Sequence, residues 1–209
     1  MKNMYILLVA VSFLTITACE KDGDFDMLHW NISKGVLTIS GQGEMKNFGE
    51  HERKPWEFHS NDIKHIVIEE GVTTIGNYAF YGLSILSSVN IPRSVKKIGY
   101  ASFEKCAFVK ITIPSSVDYI GSWAFTKCPL LEIIVFEGPV ELMGSNVFTG
   151  WGYVRRGYIL ELQCPPFAVH PEFFRDFDFD KSFLIVPKGT KELFDVAPGW
   201  QDFKNITEK

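Results

Sequence analysis

The sequence predicts a repeat solenoid, mainly β with short helical or irregular turns. Three observations carry this. One motif recurs four times, as Val72-Thr-Thr-Ile75-Gly76-Asn-Tyr-Ala-Phe80, Val95-Lys-Lys-Ile98-Gly99-Tyr-Ala-Ser-Phe103, Val117-Asp-Tyr-Ile120-Gly121-Ser-Trp-Ala-Phe125 and Val140-Glu-Leu-Met143-Gly144-Ser-Asn-Val-Phe148. The phenylalanines fall 23, 22 and 23 residues apart, and the valines and glycines keep the same steps. Each copy is preceded by a short apolar, largely β-branched run. A unit this small cannot bury its apolar face alone and does so by stacking on its neighbours.

Composition bounds the rest. With 209 residues, 46% of them apolar and 22% charged, the chain supports one domain with a sizeable core and is not mainly disordered. The net charge of -4 is unclustered, and no basic stripe alternates with aromatics, which sets nucleic acid aside as a partner.

Taken in order, residues 1–18 read as a secretory signal: Lys2 is followed by an uncharged, mostly apolar run too short to span a bilayer. It ends in Ile16-Thr17-Ala18-Cys19, which resembles the lipobox of bacterial lipoproteins and implies lipidation of Cys19. A multiply acylated cysteine holds a soluble domain on a membrane, at about 0.8 kcal/mol per buried methylene. Residues 19–26 read as a charged tether, and their acidity resembles the surface-export signal of some Gram-negative lipoproteins.

In the repeats, residues 63–151, each copy opens on a strand: Ile66-Val67-Ile68, Val89-Asn90-Ile91, Ile111-Thr112-Ile113 and Ile134-Val135-Phe136. Alternation sends the first and third side chains to one face and the middle one to the other. Pro92 and Pro114 end two of these strands, having no N–H to donate. The Val, Ile and Phe of the main motif then point inward, and the glycine suits a backbone value that a Cβ would oppose. Leu83, Cys106, Cys128 and Trp151 share one apolar slot in successive copies. Neighbouring turns bring Cys106 and Cys128 close enough for a disulfide, but the interchange with leucine favours free, buried thiols.

The pattern Ile-x-Ile-Pro-x-Ser-Val-x-x-Ile-Gly-x-x-Ala-Phe-x-x-Cys-x-x-Leu, fullest in residues 111 to 131, resembles the BspA-like leucine-rich repeat of bacterial surface proteins. The resemblance implies a right-handed stack of about four 22–23-residue repeats between caps. Gly35-Val-Leu37 to Met45 with Pro55-Trp56 resembles the amino-terminal cap, giving 27–62. Leu184-Ile-Val-Pro187 with Gly199-Trp200 resembles the carboxy-terminal one, giving 152–209 for a last irregular repeat and cap. Tyr158-Ile-Leu-Glu-Leu162 can supply a further strand there. For function the resemblance implies protein interaction or adhesion, without catalysis, in an outer-membrane lipoprotein at the surface of a Gram-negative bacterium.

Chemistry has little to rest on. The five histidines occupy different segments, and no cofactor or metal site is expected. Asp176, Asp178 and Asp180 lack the glycine turn and closing glutamate of a calcium loop and read as a solvated acidic edge. Positions that vary between copies are better candidates. Outward strand positions give His65, Val67, Asn90, Lys110, Thr112 and Val135 as a partner-binding row, spanning about 19 Å over five strands. Tyr78, Tyr100 and Trp123 form a second row, an aromatic platform for a protein or a glycan. The expected partner is an unknown protein, of a host or its extracellular matrix, or a carbohydrate. An enzyme of unrecognised type is the alternative of another class.

Overall fold

The computed structural model describes residues 22–25, 27–150 and 157–209. The expected signal peptide, Cys19 and Trp151 lie outside the described residues. The strands are β1 (Asp22–Phe25), β2 (Leu28–Ser33), β3 (Val36–Gly41), β4 (Gly43–Glu44), β5 (His65–Ile68), β6 (Val72–Ile75), β7 (Ser88–Asn90) and β8 (Lys97–Ile98). They continue with β9 (Lys110–Ile113), β10 (Tyr119–Ile120), β11 (Ile133–Phe136), β12 (Leu142–Met143), β13 (Ile159–Leu162) and β14 (Phe183–Val186). One short helix, α1 (Lys191–Val196), precedes β15 (Asn205–Glu208).

The result is a mainly β solenoid in which the two β segments of each copy build two parallel rails. The β-branched runs form the first, in the order β3-β5-β7 and then β9-β11-β13-β14-β15. The Val-x-x-Ile segments form the second, β4-β6-β8-β10-β12. Ile66, Ile68, Ile111, Ile113, Ile134 and Phe136 face the core, as alternation requires. The stack runs on past the four motif copies: β13 pairs with β11 and β14 with β13, all parallel.

The third side of each turn is not a strand, yet it is laddered. Phe80 N–H donates to the Ser102 carbonyl at 2.8 Å, Phe103 to Ala124 at 2.8 Å and Phe125 to Val147 at 2.9 Å. This places the four phenylalanines above one another. Trp56, Phe80, Phe103, Phe125 and Phe148 make a continuous spine with centroids 5.1–5.5 Å apart. Its ends are covered: Trp56 belongs to the amino-terminal cap and donates its indole N–H to the Ala79 carbonyl at 3.1 Å, and Phe173 meets Phe148 edge-on. Covered ends are what a solenoid needs to keep its core from water.

The glycines have a different cause from the one the sequence suggests. Gly76, Gly99, Gly121 and Gly144 do not adopt positive φ. Instead each lies against the backbone of the neighbouring turn, so that a Cβ on Gly99 would come within 2.6 Å of Asn77 N and one on Gly121 within 2.6 Å of Tyr100 N. The left-handed backbone falls two positions later, on Tyr78, Ala101, Trp123 and Asn146, with φ of 53, 49, 64 and 57°. Non-glycine residues hold that conformation only where surroundings over-determine it. Here the Tyr78, Ala101 and Trp123 amides each donate to the next turn's carbonyl, at 2.9, 3.1 and 3.1 Å.

Two further expectations change. Residues 22–25 are not a tether but the edge strand β1, paired antiparallel with β2. Asp176 is not a solvated edge: it is buried, and its carboxylate accepts the Gly150 N–H at 2.6 Å. Phe177 beside it joins the aromatic cluster around Trp200 and Phe203, which needs the aspartate's backbone to pass through the interior.

Candidate functional site

Alternation along the first rail leaves one side chain of each pair turned outward, and parallel register lines these up across turns. The first row is His65, Ser88, Lys110, Ile133, Ile159 and Phe183; the second is Val67, Asn90, Thr112, Val135, Glu161 and Ile185. The rail is interrupted once. β7 pairs with β5 and β9 with β11, but β7 and β9 are not hydrogen-bonded to each other. The short copy, 22 residues from Phe103 to Phe125, meets its predecessor at this seam.

A groove of about 600 Å³ lies over the seam. Val67, Asn90 and Thr112 line it, one from each of β5, β7 and β9, so half of the first predicted row converges there. Glu69, Glu70, Arg93 and Glu137 line the end beyond the strands. Glu70 is fixed by the Arg93 and Ser94 amides, both at 3.0 Å, and the Arg93 guanidinium reaches to 3.8 Å from Glu137. Sequence reasoning missed these four. The signal was the position just after each strand, where Glu69 and Glu137 stand in the outer copies and Pro92 and Pro114 in the two between.

His65 and Lys110 are exposed at the strand starts, where His65 Nδ1 shares a hydrogen bond with Ser88 Oγ at 2.8 Å. Val135 does not belong to an accessible row. It is 3% exposed, its short side chain sitting in register between Thr112 and Glu161 of the flanking strands. Beyond Lys110 the outer face turns apolar, through Ile133 and Ile159 to the half-exposed Phe183. Ile159, Phe183 and Ile185 were missed because they lie past the regular motif, although Tyr158 to Leu162 carried the strand pattern.

The second predicted row is a contiguous strip on the non-strand side. Tyr78 and Tyr100 centroids are 5.3 Å apart, tilted by 58°, and Tyr100 stacks on Trp123 at 6.0 Å and 24°. Tyr81 meets Tyr78 edge-on at 5.8 Å, and the Lys127 ammonium sits 5.8 Å over the Trp123 ring. Ring faces are thus turned toward one another along the stack, leaving mainly edges for a ligand. Trp123 keeps 39% exposure, while burial, with Tyr100 adding to it, pushes the Tyr78 phenol up to about 12.

The cysteines are core residues. Cys106, Cys128 and Cys164 are free and buried, and desolvation pushes all three thiols up, Cys128 to about 12 and Cys164 to about 11. That is opposite to the lowered value a nucleophilic thiolate requires.

The model of the BspA type leucine-rich repeat region matches residues 54–156 in six copies. No curated protein matches the chain. Among solved structures, a leucine-rich repeat protein from Eubacterium ventriosum is 16% identical, with a TM-score of 0.53 over 80% of this chain and 44% of that one. The pneumococcal vaccine antigen PcpA is 15% identical, with a TM-score of 0.52 over 91% of this chain and 48% of that one. A T. pallidum leucine-rich repeat protein is 14% identical, with a TM-score of 0.49 over 90% of this chain and 84% of that one. The chain spans less than half the length of the first two, and at these identities the likeness shows the fold alone.

Proposed function

Because this chain belongs to the BspA-type leucine-rich repeat family through residues 54–156, we propose that it is a binding module for a protein partner that docks on the outer face of the first rail. The observation that carries this reading is the convergence of Val67, Asn90 and Thr112, from three strands, on one groove of about 600 Å³. Beside the groove on the same face, the strand-start row runs in register from Lys110 into the apolar stretch of Ile133, Ile159 and Phe183. A polar end and an apolar centre within one surface are the usual composition of a protein interface.

The module acts by adhesion and not by catalysis, and it is held on the outer membrane, facing outward, through lipid on Cys19. The anchoring part rests on Ile16-Thr17-Ala18-Cys19 and on the acidic residues after it. Among the described residues no helix is long and apolar enough to cross a membrane. The natural partner is a surface or matrix protein of a host.

A glycan is the second reading, favoured by the exposure of Trp123 at the end of the aromatic strip. Surface plasmon resonance separates the two once a partner is captured. The double variant Lys110→Glu with Asn90→Ala weakens a protein partner by more than about 1 kcal/mol if the strand face binds it. Unchanged affinity there, with loss in Trp123→Ala, moves the site to the aromatic strip.

A further inference from the structure

We propose that the cleft between the amino-terminal cap and the first turn binds an acidic monosaccharide, a hexuronate, whose carboxylate is taken by Lys54 and Tyr81. This site is separate from the groove and does not depend on the reading above. The cleft has a volume of about 390 Å³, enough for a single sugar ring, and binding sites for small molecules begin at about 300 Å³.

Lys54 is the anomaly in its wall. The residue is 8% exposed, and a side chain so enclosed needs acceptors for the three N–H groups of its ammonium. It has one hydrogen bond, long at 3.4 Å, to the Glu50 carbonyl, and the Tyr81 ring lies 5.8 Å away. Among the described residues no carboxylate comes within 4.0 Å of the Lys54 ammonium. Glu52, whose field reaches it, is already paired with Lys46 at 2.8 Å and with the Gly49 N–H at 2.9 Å. Glu57 accepts the Lys54 main-chain N–H at 3.1 Å, which fixes the residue in the wall.

Tyr81 supplies a second donor. Its hydroxyl oxygen accepts a hydrogen bond from the Lys105 ammonium, and this bond raises the Lys105 pKa, so that lysine stays charged. A phenol that already accepts from a cation has its own O–H left to give. The same cleft presents the acceptors Glu50 and Glu57 and the hydroxyl of Ser60. A ligand with one carboxylate and several hydroxyls satisfies both sets: the carboxylate on Lys54 and Tyr81, the hydroxyls on Glu50, Glu57 and Ser60. A neutral sugar leaves the ammonium without a counter-charge.

Isothermal titration calorimetry of the full chain with D-glucuronate, its methyl ester and D-glucose tests this. Saturable binding of glucuronate is expected, with the ester and glucose at least about tenfold weaker, since a charge-assisted hydrogen bond is about twice as strong as a neutral one. Lys54→Met should lower glucuronate affinity about tenfold and Tyr81→Phe several-fold, each with a thermal midpoint measured alongside. Should Lys54→Met fail to fold, the comparison of acid with ester in the wild-type chain and the Tyr81→Phe variant decides. Absence of saturable glucuronate binding below about 10 mM, a range that covers even weak ligands, overturns the proposal. So does equal affinity for acid and ester, or full affinity in folded Lys54→Met.

Discussion

Phe103 and Phe125 lie face to face in successive turns, with centroids 5.4 Å apart and planes within 5° of parallel. The separation matches the strand spacing of about 4.8 Å more closely than the contact distance of two flat rings, so the rings are offset along the stack, the arrangement aromatic pairs favour. The hydrogen bond from the Phe103 amide to the Ala124 carbonyl, 2.8 Å, holds them there. Backbone ladder and ring stack therefore stabilise the same register.

Phe103→Ala and Phe125→Ala should each cost about 3 to 5 kcal/mol, because both rings are essentially buried and the cavity left cannot collapse between two laddered turns. Thermal or urea unfolding measures it. Transitions unmoved by both substitutions would contradict the spine.

Gly121→Ala should destabilise although an isolated chain prefers alanine. A Cβ there meets Tyr100 N at 2.6 Å, and that atom is backbone, which can retreat only if the turns separate. The expected loss is about 1 to 3 kcal/mol or more. A neutral or stabilised variant, by circular dichroism melting, would show that the turns are not in such close contact.

Tyr78 should ionise late. Its folded value of about 12, against an ordinary value of 10.0, means that folded protein keeps the proton that the unfolded chain releases. Stability from this group is present below pH 10 and declines as pH rises toward 12. Phenolate absorbance followed by pH titration should lose a late component in Tyr78→Phe. A difference curve centred on the ordinary tyrosine value would refute it.

Cys19→Ala should release the protein from membranes or block its processing, as the Ile16-Thr17-Ala18-Cys19 segment implies. Fractionation and intact mass on the expressed chain read the outcome. Full membrane retention with unaltered mass in the variant would remove the lipid anchor from the account.

The repeat, its period, the inward Val, Ile and Phe positions and the buried thiols were all legible in the chain, because a solenoid writes each local choice several times in register. The outward rows were legible by alternation, which is local geometry. What only the tertiary structure decided are the terms set between turns. The glycines look like backbone-conformation residues in one copy, and their cause, contact with the next turn, exists only in the stack. Val135 has the spacing of an outward residue but is covered by neighbours from other strands. Lys54 and Tyr81 are 27 positions apart in the chain, and no periodicity connects a cap to a turn. Local pattern states which way a side chain points; burial and partners depend on what the fold brings beside it.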